Sequence, residues 1–197
     1  MSTDPDAVVG PVPAGRDPDG YDRLRRRILW ALPTGLYVLG SRAGEEHNLM
    51  TISWVTQLAT RPKLVGVGVE TGSVTGGLVT SGEVFALSIL PRAERNVVRR
   101  FVKPVRVRAI DVGSGTGTMQ GEAVRLAPSG APVLAASAAW IDCAVRQRVE
   151  LGSHTLFAGE VTECGLGAPG LAREDAEADQ LLAEILRMED TRMSYGG

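Results

Sequence analysis

Asn48–Thr75 reads NLMTISWVTQLATRPKLVGVGVETGSVT. Met50 to Ala59 is rich in β-branched and aromatic residues, Arg61-Pro62 breaks the run, and Lys63 to Glu70 resumes it, so the stretch predicts two extended segments. Thr51, Ser53 and Thr56 place hydroxyls in the first segment. Thr71, Ser73 and Thr75 follow the second, and pairing of the strands would bring the two clusters together. Hydroxyls and turn N–H groups converging at strand ends can hold a phosphate. They are also good strand and turn formers in their own right, and both readings stand at this point.

Two further stretches follow in the chain. Glu83–Leu90 reads EVFALSIL and Gly152–Val161 reads GSHTLFAGEV. Taken in order with Asn48–Thr75, these stretches resemble the flavin reductase-like family of FMN-binding split barrels, from about Leu29 to Val161. The M-T-I-S-W run is especially similar to flavoredoxin-like members. The resemblance implies a mainly β fold, a β-barrel with flanking helices. It also implies a homodimer with FMN in a groove near the subunit interface and NADH or NADPH as electron donor. Carried onto this chain, it sets the ribityl phosphate against Thr51, Ser53, Ser73 and Thr75, with Thr56 and Thr71 in the same clusters. Backbone groups along Ile52, Ser53, Trp54 and Val55 then face the isoalloxazine edge. His154 matches the strand position near nicotinamide and flavin and is the candidate catalytic residue. As a lone strand histidine it has a purely structural alternative. The sequence departs from common members at Glu70 and Val74. An acid beside a phosphate is unfavourable, so Glu70 is expected to point away from it or to address a flavin hydroxyl.

A chain of 197 residues with 44% hydrophobic content supports one domain with a core built from Val, Leu, Ala and Ile, since aromatics make up only 5%. A net charge of −2 gives no general reason to expect nucleic acid or an anionic membrane as partner. Neither end carries an apolar run long enough for a signal peptide or a membrane span, which predicts a cytoplasmic protein. Two histidines are too few for a His-based metal site without much help, and no metal is expected. Cys143 and Cys164 form no CxxC and are expected to be small buried side chains.

Residues 1–20, rich in Asp, Pro and Gly, predict a disordered N-terminal tail. Residues 21–165 form the expected split-barrel domain, and 166–197 a C-terminal helix and tail. Leu24, Ile28 and Leu32 predict a basic amphipathic helix from Tyr21 to Leu32. Leu36–Leu39 reads as the first strand, with a polar connection over Ala43–Asn48. Gly76-Gly77 weakens any helix after Thr75. Val84–Leu90 reads as a strand. Val97, Val98 and Phe101 predict a helix over Ala93–Val102, in a stretch containing Arg92, Arg95, Arg99, Arg100, Lys103, Arg106 and Arg108. That basic run reads either as a solvated face or as a cationic rim for nucleotide phosphates. Gly113–Gly117 lacks a preceding strand and a P-loop Lys, and reads as a surface loop. Ala138–Val145, Arg146–Glu150 and His154–Thr162 predict a long antiparallel hairpin. Leu181, Leu182, Ile185, Leu186 and Met188 predict the best helix, over Leu171–Glu189, followed by the tail DTRMSYGG.

The leading functional expectation is an NAD(P)H:FMN oxidoreductase, with a monooxygenase as possible recipient of the reduced flavin. The alternatives are a flavoredoxin-type electron-transfer protein and a split-barrel protein that holds flavin or haem without turnover. Hydride transfer needs stacking and water exclusion more than protein acid–base groups, so the absence of a catalytic triad fits.

Overall fold

A computed structural model describes residues 10–103, 105–108, 110, 115–171 and 173–191. Residues 10–33 belong to one compact unit and 34–191 to another. In the first unit Asp17 caps helix α1 (Pro18–Leu29) by accepting from Gly20 N, and Pro18 starts the helix with its φ already set. Asp22 pairs with Arg25 and Arg26 along the helix face. The helix begins three residues before the predicted start, because the Asp-Pro cap outweighs the apolar periodicity. It stops at Leu29 rather than Leu32. Of the predicted tail, residues 1–9 lie outside the described residues.

The second unit is mainly β. Strands β1 (Tyr37–Ala43), β2 (Glu46–Ile52), β3 (Val55–Thr60), β4 (Lys63–Glu70), β5 (Val84–Ile89), β6 (Val105–Arg108), β10 (Ala139–Glu150) and β11 (His154–Leu166) form one sheet. Its order is β3-β4-β11-β10-β5-β1-β2-β6, and the fold is the split barrel. Strands β7 (Gly117–Met119), β8 (Glu122–Leu126) and β9 (Pro132–Leu134) form a separate three-stranded sheet. Strand β5 packs on both of its faces. Phe85 and Leu87 enter the barrel core with Leu39, Ile52, Val67, Val69, Cys143 and Phe157. Ala86 faces the other way and packs with Ala127, Ala131, Val133 and Trp140. Ser88, on that same outer side, accepts Leu134 N at 3.0 Å.

The predicted hairpin forms as β10–β11 and is longer than expected, running to Leu166, with register shifts at Asp142/Cys143 and Val145/Gln147. The expected polar connection at Ala43–Asn48 is instead a tight turn, with Glu46 already paired to Ala43. Met50–Ala59 is two strands, split at Ser53-Trp54.

Three expectations fail for reasons of tertiary contact. First, the helix expected after Thr75, weakened by Gly76-Gly77 and reaching one turn at Leu78-Val79, runs further: α2 spans Val74–Gly82, with Ser73 as its N-cap. A Cβ on Gly82 would sit 1.7 Å from the Arg42 carbonyl, so the glycine that weakens the helix locally lets it pack on β1. Second, Ala93–Val102 forms two short 3₁₀ turns, Arg92–Glu94 and Val97–Phe101, rather than one α-helix. The second turn still buries Val97, Val98 and Phe101. Third, the helix over Leu171–Glu189 shrinks to α3 (Ala178–Leu182), with 3₁₀ turns at Asp175–Glu177 and Met188–Thr191. The intervening backbone bonds to the barrel instead. Leu186 N donates to Leu90 O at 2.8 Å, Arg92 N to Glu184 O at 2.8 Å and Leu36 N to Leu186 O at 3.4 Å. These bonds draw Leu186 to full burial. Residues 192–197 of the tail, and Gly113-Ser114 of the glycine-rich stretch, lie outside the described residues.

Candidate active site

The break at Ser53-Trp54 organises the site. Val55 N donates to Ser53 O at 3.0 Å and Gly68 N to Trp54 O at 2.9 Å, so the chain turns from β2 into β3 while remaining tied to β4. Ser53 is buried and Trp54 is 40% exposed. Gly66 and Gly68 do leave room on the strand, and the chain's own side chains fill it. Leu58 lies over Gly66 and Trp54 over Gly68.

The Trp54 ring meets His154, with centroids 4.2 Å apart and planes inclined at 48°. His154 opens β11 opposite Glu70, and its Nδ1 lies 3.0 Å from Ser153 Oγ. Burial lowers its pKa, while the Glu70 carboxylate acts in the opposite direction. Glu70 therefore neighbours the imidazole.

The second hydroxyl cluster continues this edge. Thr71 N donates to Ser153 O at 2.9 Å, and Thr71 Oγ1 donates to Gly152 O at 3.2 Å and lies 3.3 Å from Thr155 Oγ1. Ser73 Oγ donates to Glu70 O at 2.7 Å and accepts from Gly76 N at 3.1 Å. Thr75 is fully buried; its hydroxyl donates to Asn48 Oδ1 at 2.8 Å and lies 3.3 Å from Met50 Sδ. Thr51 Oγ1 donates to Val98 O at 2.6 Å. Ile52 lies in the barrel core. Thr56 is exposed, with its hydroxyl 3.4 Å from Gln57 O.

The fold thus brings together Trp54, His154, Thr71 and Ser73. Thr75 and Thr51 stand behind them, their hydroxyls committed to the chain, and Ile52 beneath. Two further residues complete the arrangement. Asn48, which sequence reasoning did not single out, is the buried partner of Thr75 and is revealed only by the α2 docking; Gly68, legible in the sequence as a strand glycine that leaves room for close packing or ligand approach, is the seat of the indole.

Val55 and Thr56 also line a cavity of about 360 Å³ on the inner side of the sheet, with Tyr37, Val65, Ile141 and Val161. Cys164 lines it too and is exposed, contrary to expectation, because its position near the end of β11 faces this opening; Cys143 is buried as expected. Burial pushes the Cys143 thiol up to about 12. Tyr37, half-buried in the same wall, has its phenol raised by burial.

The basic stretch makes contacts of its own. Arg92 pairs with Asp190 at 3.0 Å and Arg100 with Glu122 at 2.9 Å. Arg99 donates to Thr191 O at 2.9 Å and Arg100 to Gln120 O at 3.0 Å. Among the described residues, no group of three or more His, Cys, Asp or Glu is placed to hold a metal ion, and no helix is long and apolar enough to cross a membrane.

The split barrel belongs to one family: the chain is a member of the flavin reductase like domain family, whose model matches residues 29–180. Among its relatives is the NADH-dependent FAD reductase of Streptomyces globisporus, 32% identical over 144 residues, covering 73% of this chain and 76% of that protein. The NADPH-flavin oxidoreductase of Streptomyces viridifaciens is 32% identical over 162 residues, covering 79% of each. The solved structure of the Streptomyces globisporus C-1027 NADH:FAD oxidoreductase SgcE6 superposes with a TM-score of 0.62 at 29% identity, covering 79% of this chain and 89% of that one.

Proposed function

We infer that this protein is an NAD(P)H-dependent flavin reductase. The observation that supports the reading best is the contiguous edge formed by the Ser53-Trp54 break, His154 and the Thr71–Ser73 turn. The residues present suit a flavin. The exposed Trp54 indole and the half-buried His154 imidazole offer a surface for planar rings. The exposed Thr71–Ser73 turn opens a nine-residue helix, whose N-terminal end favours an anionic group. When bound, flavin accepts a hydride from the nicotinamide, chemistry that belongs to the cofactors.

The chain's part is to bind, orient and exclude water. Ser73 would offer its hydroxyl to the phosphate. Backbone groups at Ser53–Val55 would hold the ring edge, and the Trp54–His154 pair would limit the approach of the nicotinamide. Thr51 and Thr75 serve from behind by fixing β2 against the 3₁₀ turn and α2. FMN is the proposed flavin, because the turn is suited to a terminal phosphate. The Streptomyces globisporus relative is named for FAD, so both flavins are to be titrated.

The proposed assembly is a homodimer. On the outer face of β3, β4, β11 and β10, Trp54 and Leu58 lie over the strand glycines, alongside Leu156 and Val149, which pair across the strands. Trp54, Leu58 and Val149 are exposed. An apolar patch of this kind marks an interface, and a partner seated there would border the site. A cytoplasmic location and a monooxygenase as recipient of the reduced flavin complete the reading.

Absorption spectra of the purified protein with FMN, before and after NADH or NADPH, test it. Bleaching of the yellow band is expected. A yellow protein inert to both nucleotides would instead indicate the electron-transfer or non-catalytic alternative.

A further inference from the structure

Trp54 leaves the sheet at the β2–β3 break, yet its ring is held from two sides. Beneath it, a Cβ on Gly68 would come within 3.1 Å of Trp54 Cε3 and 3.3 Å of Trp54 Cβ. Beside it stands the His154 imidazole, 4.2 Å away between centroids. The backbone holds the geometry. Gly68 N bonds the Trp54 carbonyl, and His154 is in register with Glu70, two residues along β4 from Gly68. Its seating against one histidine gives the indole a role within its own chain, besides its place on the proposed dimer face.

We propose that Trp54 is a positioning residue for His154: the indole packs against the imidazole in a tilted contact and sets its rotation. The inference rests on the flavin reductase reading, in which His154 meets the nicotinamide. Two contacts define the ring. Ser153 Oγ is at hydrogen-bonding distance from Nδ1, which restrains turning of the ring about its Cβ–Cγ bond, and the indole packs against the ring at a tilt of 48°. Charge is balanced by two opposed influences. Desolvation disfavours the imidazolium, while Glu70, the carboxylate paired with it across β4, favours it; desolvation is the larger. Ser153, Thr155 and Trp54 carry no charge. Neutrality matters because positive charge develops on a nicotinamide ring as hydride leaves it, and an imidazolium in contact would oppose that charge.

The test uses the full-length protein. The two imidazoles are followed by proton NMR as pH is varied, with His154→Asn assigning the signals. In Trp54→Ala the His154 pKa is expected to move away from the wild-type value, and Trp54→Phe to restore it. Gly68→Ala, which displaces the indole without deleting it, is expected to move the same signal while leaving His47 unchanged, and it serves as a second route if Trp54→Ala folds poorly. Stopped-flow reduction of bound flavin by NADH or NADPH is expected to slow severalfold in Trp54→Ala, with Trp54→Phe recovering the rate. A His154 titration identical in wild type, Trp54→Ala and Gly68→Ala overturns the pairing even if the wild type reduces flavin. A wild type that oxidises neither nucleotide overturns the reductase reading, and with it the role of the pair, whatever the titration shows.

Discussion

The Thr75 hydroxyl donates to Asn48 Oδ1 at 2.8 Å, and both side chains are fully buried. This bond ties the first turn of α2 to β2 and commits the hydroxyl nearest the helix start to the protein interior. Thr75 and Ser73, two residues apart in the turn, therefore have different work to do.

Thr75→Val removes the donor while keeping the shape, and leaves the Asn48 oxygen buried without it. A loss of about 1–3 kcal/mol in stability is expected, read as a lower denaturation midpoint at unchanged m-value. Ser73→Ala removes a half-buried N-cap worth about 1 kcal/mol and a proposed phosphate donor. Combining Ser73→Ala with Thr75→Ala is expected to weaken FMN binding by about tenfold or more, from about 1.5–3 kcal/mol for a hydrogen bond to a charged group. A double variant that titrates FMN like wild type places the phosphate elsewhere.

Acid stability follows from the two histidines. Burial is the leading cause lowering the pKa of both His47 and His154; Arg42 also lowers that of His47, while the Glu45 and Gly130 backbones raise it. A folded pKa below the unfolded one means the unfolded chain binds more protons in the window between them. The stabilising contribution is thus complete above the ordinary histidine pKa of about 6.5 and is lost as pH falls through the folded values. Asp142 has the opposite sign, since burial raises its carboxyl, but it acts in a more acidic range. Thermal melts between about pH 7.5 and about pH 5.5 are expected to show a fall in Tm for wild type, and a smaller fall for His47→Gln. Equal falls in both would remove His47 from the account.

The C-terminal segment is predicted to stabilise the barrel through Leu186. Leu186 is fully buried and its backbone bonds to both Leu36 and Leu90. Leu186→Ala is expected to cost about 2–5 kcal/mol. Leu182→Ala, one turn away on exposed α3, is expected to cost about 0.5 kcal/mol or less. Urea titration distinguishes them, and similar midpoints would mean the segment contributes little.

The arginines divide by their partners. Arg99→Gln loses the contact with the Thr191 carbonyl and is expected to increase proteolysis after residue 184 with little change in the salt dependence of KM. Lys103→Gln tests the cationic-rim idea more directly: a higher KM for NAD(P)H, with the effect larger at low salt. A KM that does not respond to salt in either variant leaves the basic stretch a structural surface.

The proposed dimer makes a separate demand. Leu58→Asp puts a charge on the exposed apolar face beside Gly66 and is expected to shift sedimentation toward the monomer. A wild type that sediments as a monomer while holding FMN tightly would count against the arrangement.

Local chemistry in the sequence was enough to determine the β character of the chain, the strands on either side of Arg61-Pro62 and the β10–β11 hairpin. Those signals are short-range: alternation, β-branching, turn residues and family motifs are all written within a few neighbours. The state of each hydroxyl was not legible, because it depends on acceptors far along the chain. Thr75 finds Asn48 and Thr51 finds the Val98 carbonyl only after α2 and the 3₁₀ turn dock. The same holds for Leu171–Glu189, whose helical periodicity is real but whose backbone finds better partners at Leu36, Leu90 and Arg92. It holds also for Trp54, whose setting against His154 comes from the register of β4 with β11. Sequence sets what each segment can form alone. Burial of backbone polar groups against distant strands decides which of those forms survives.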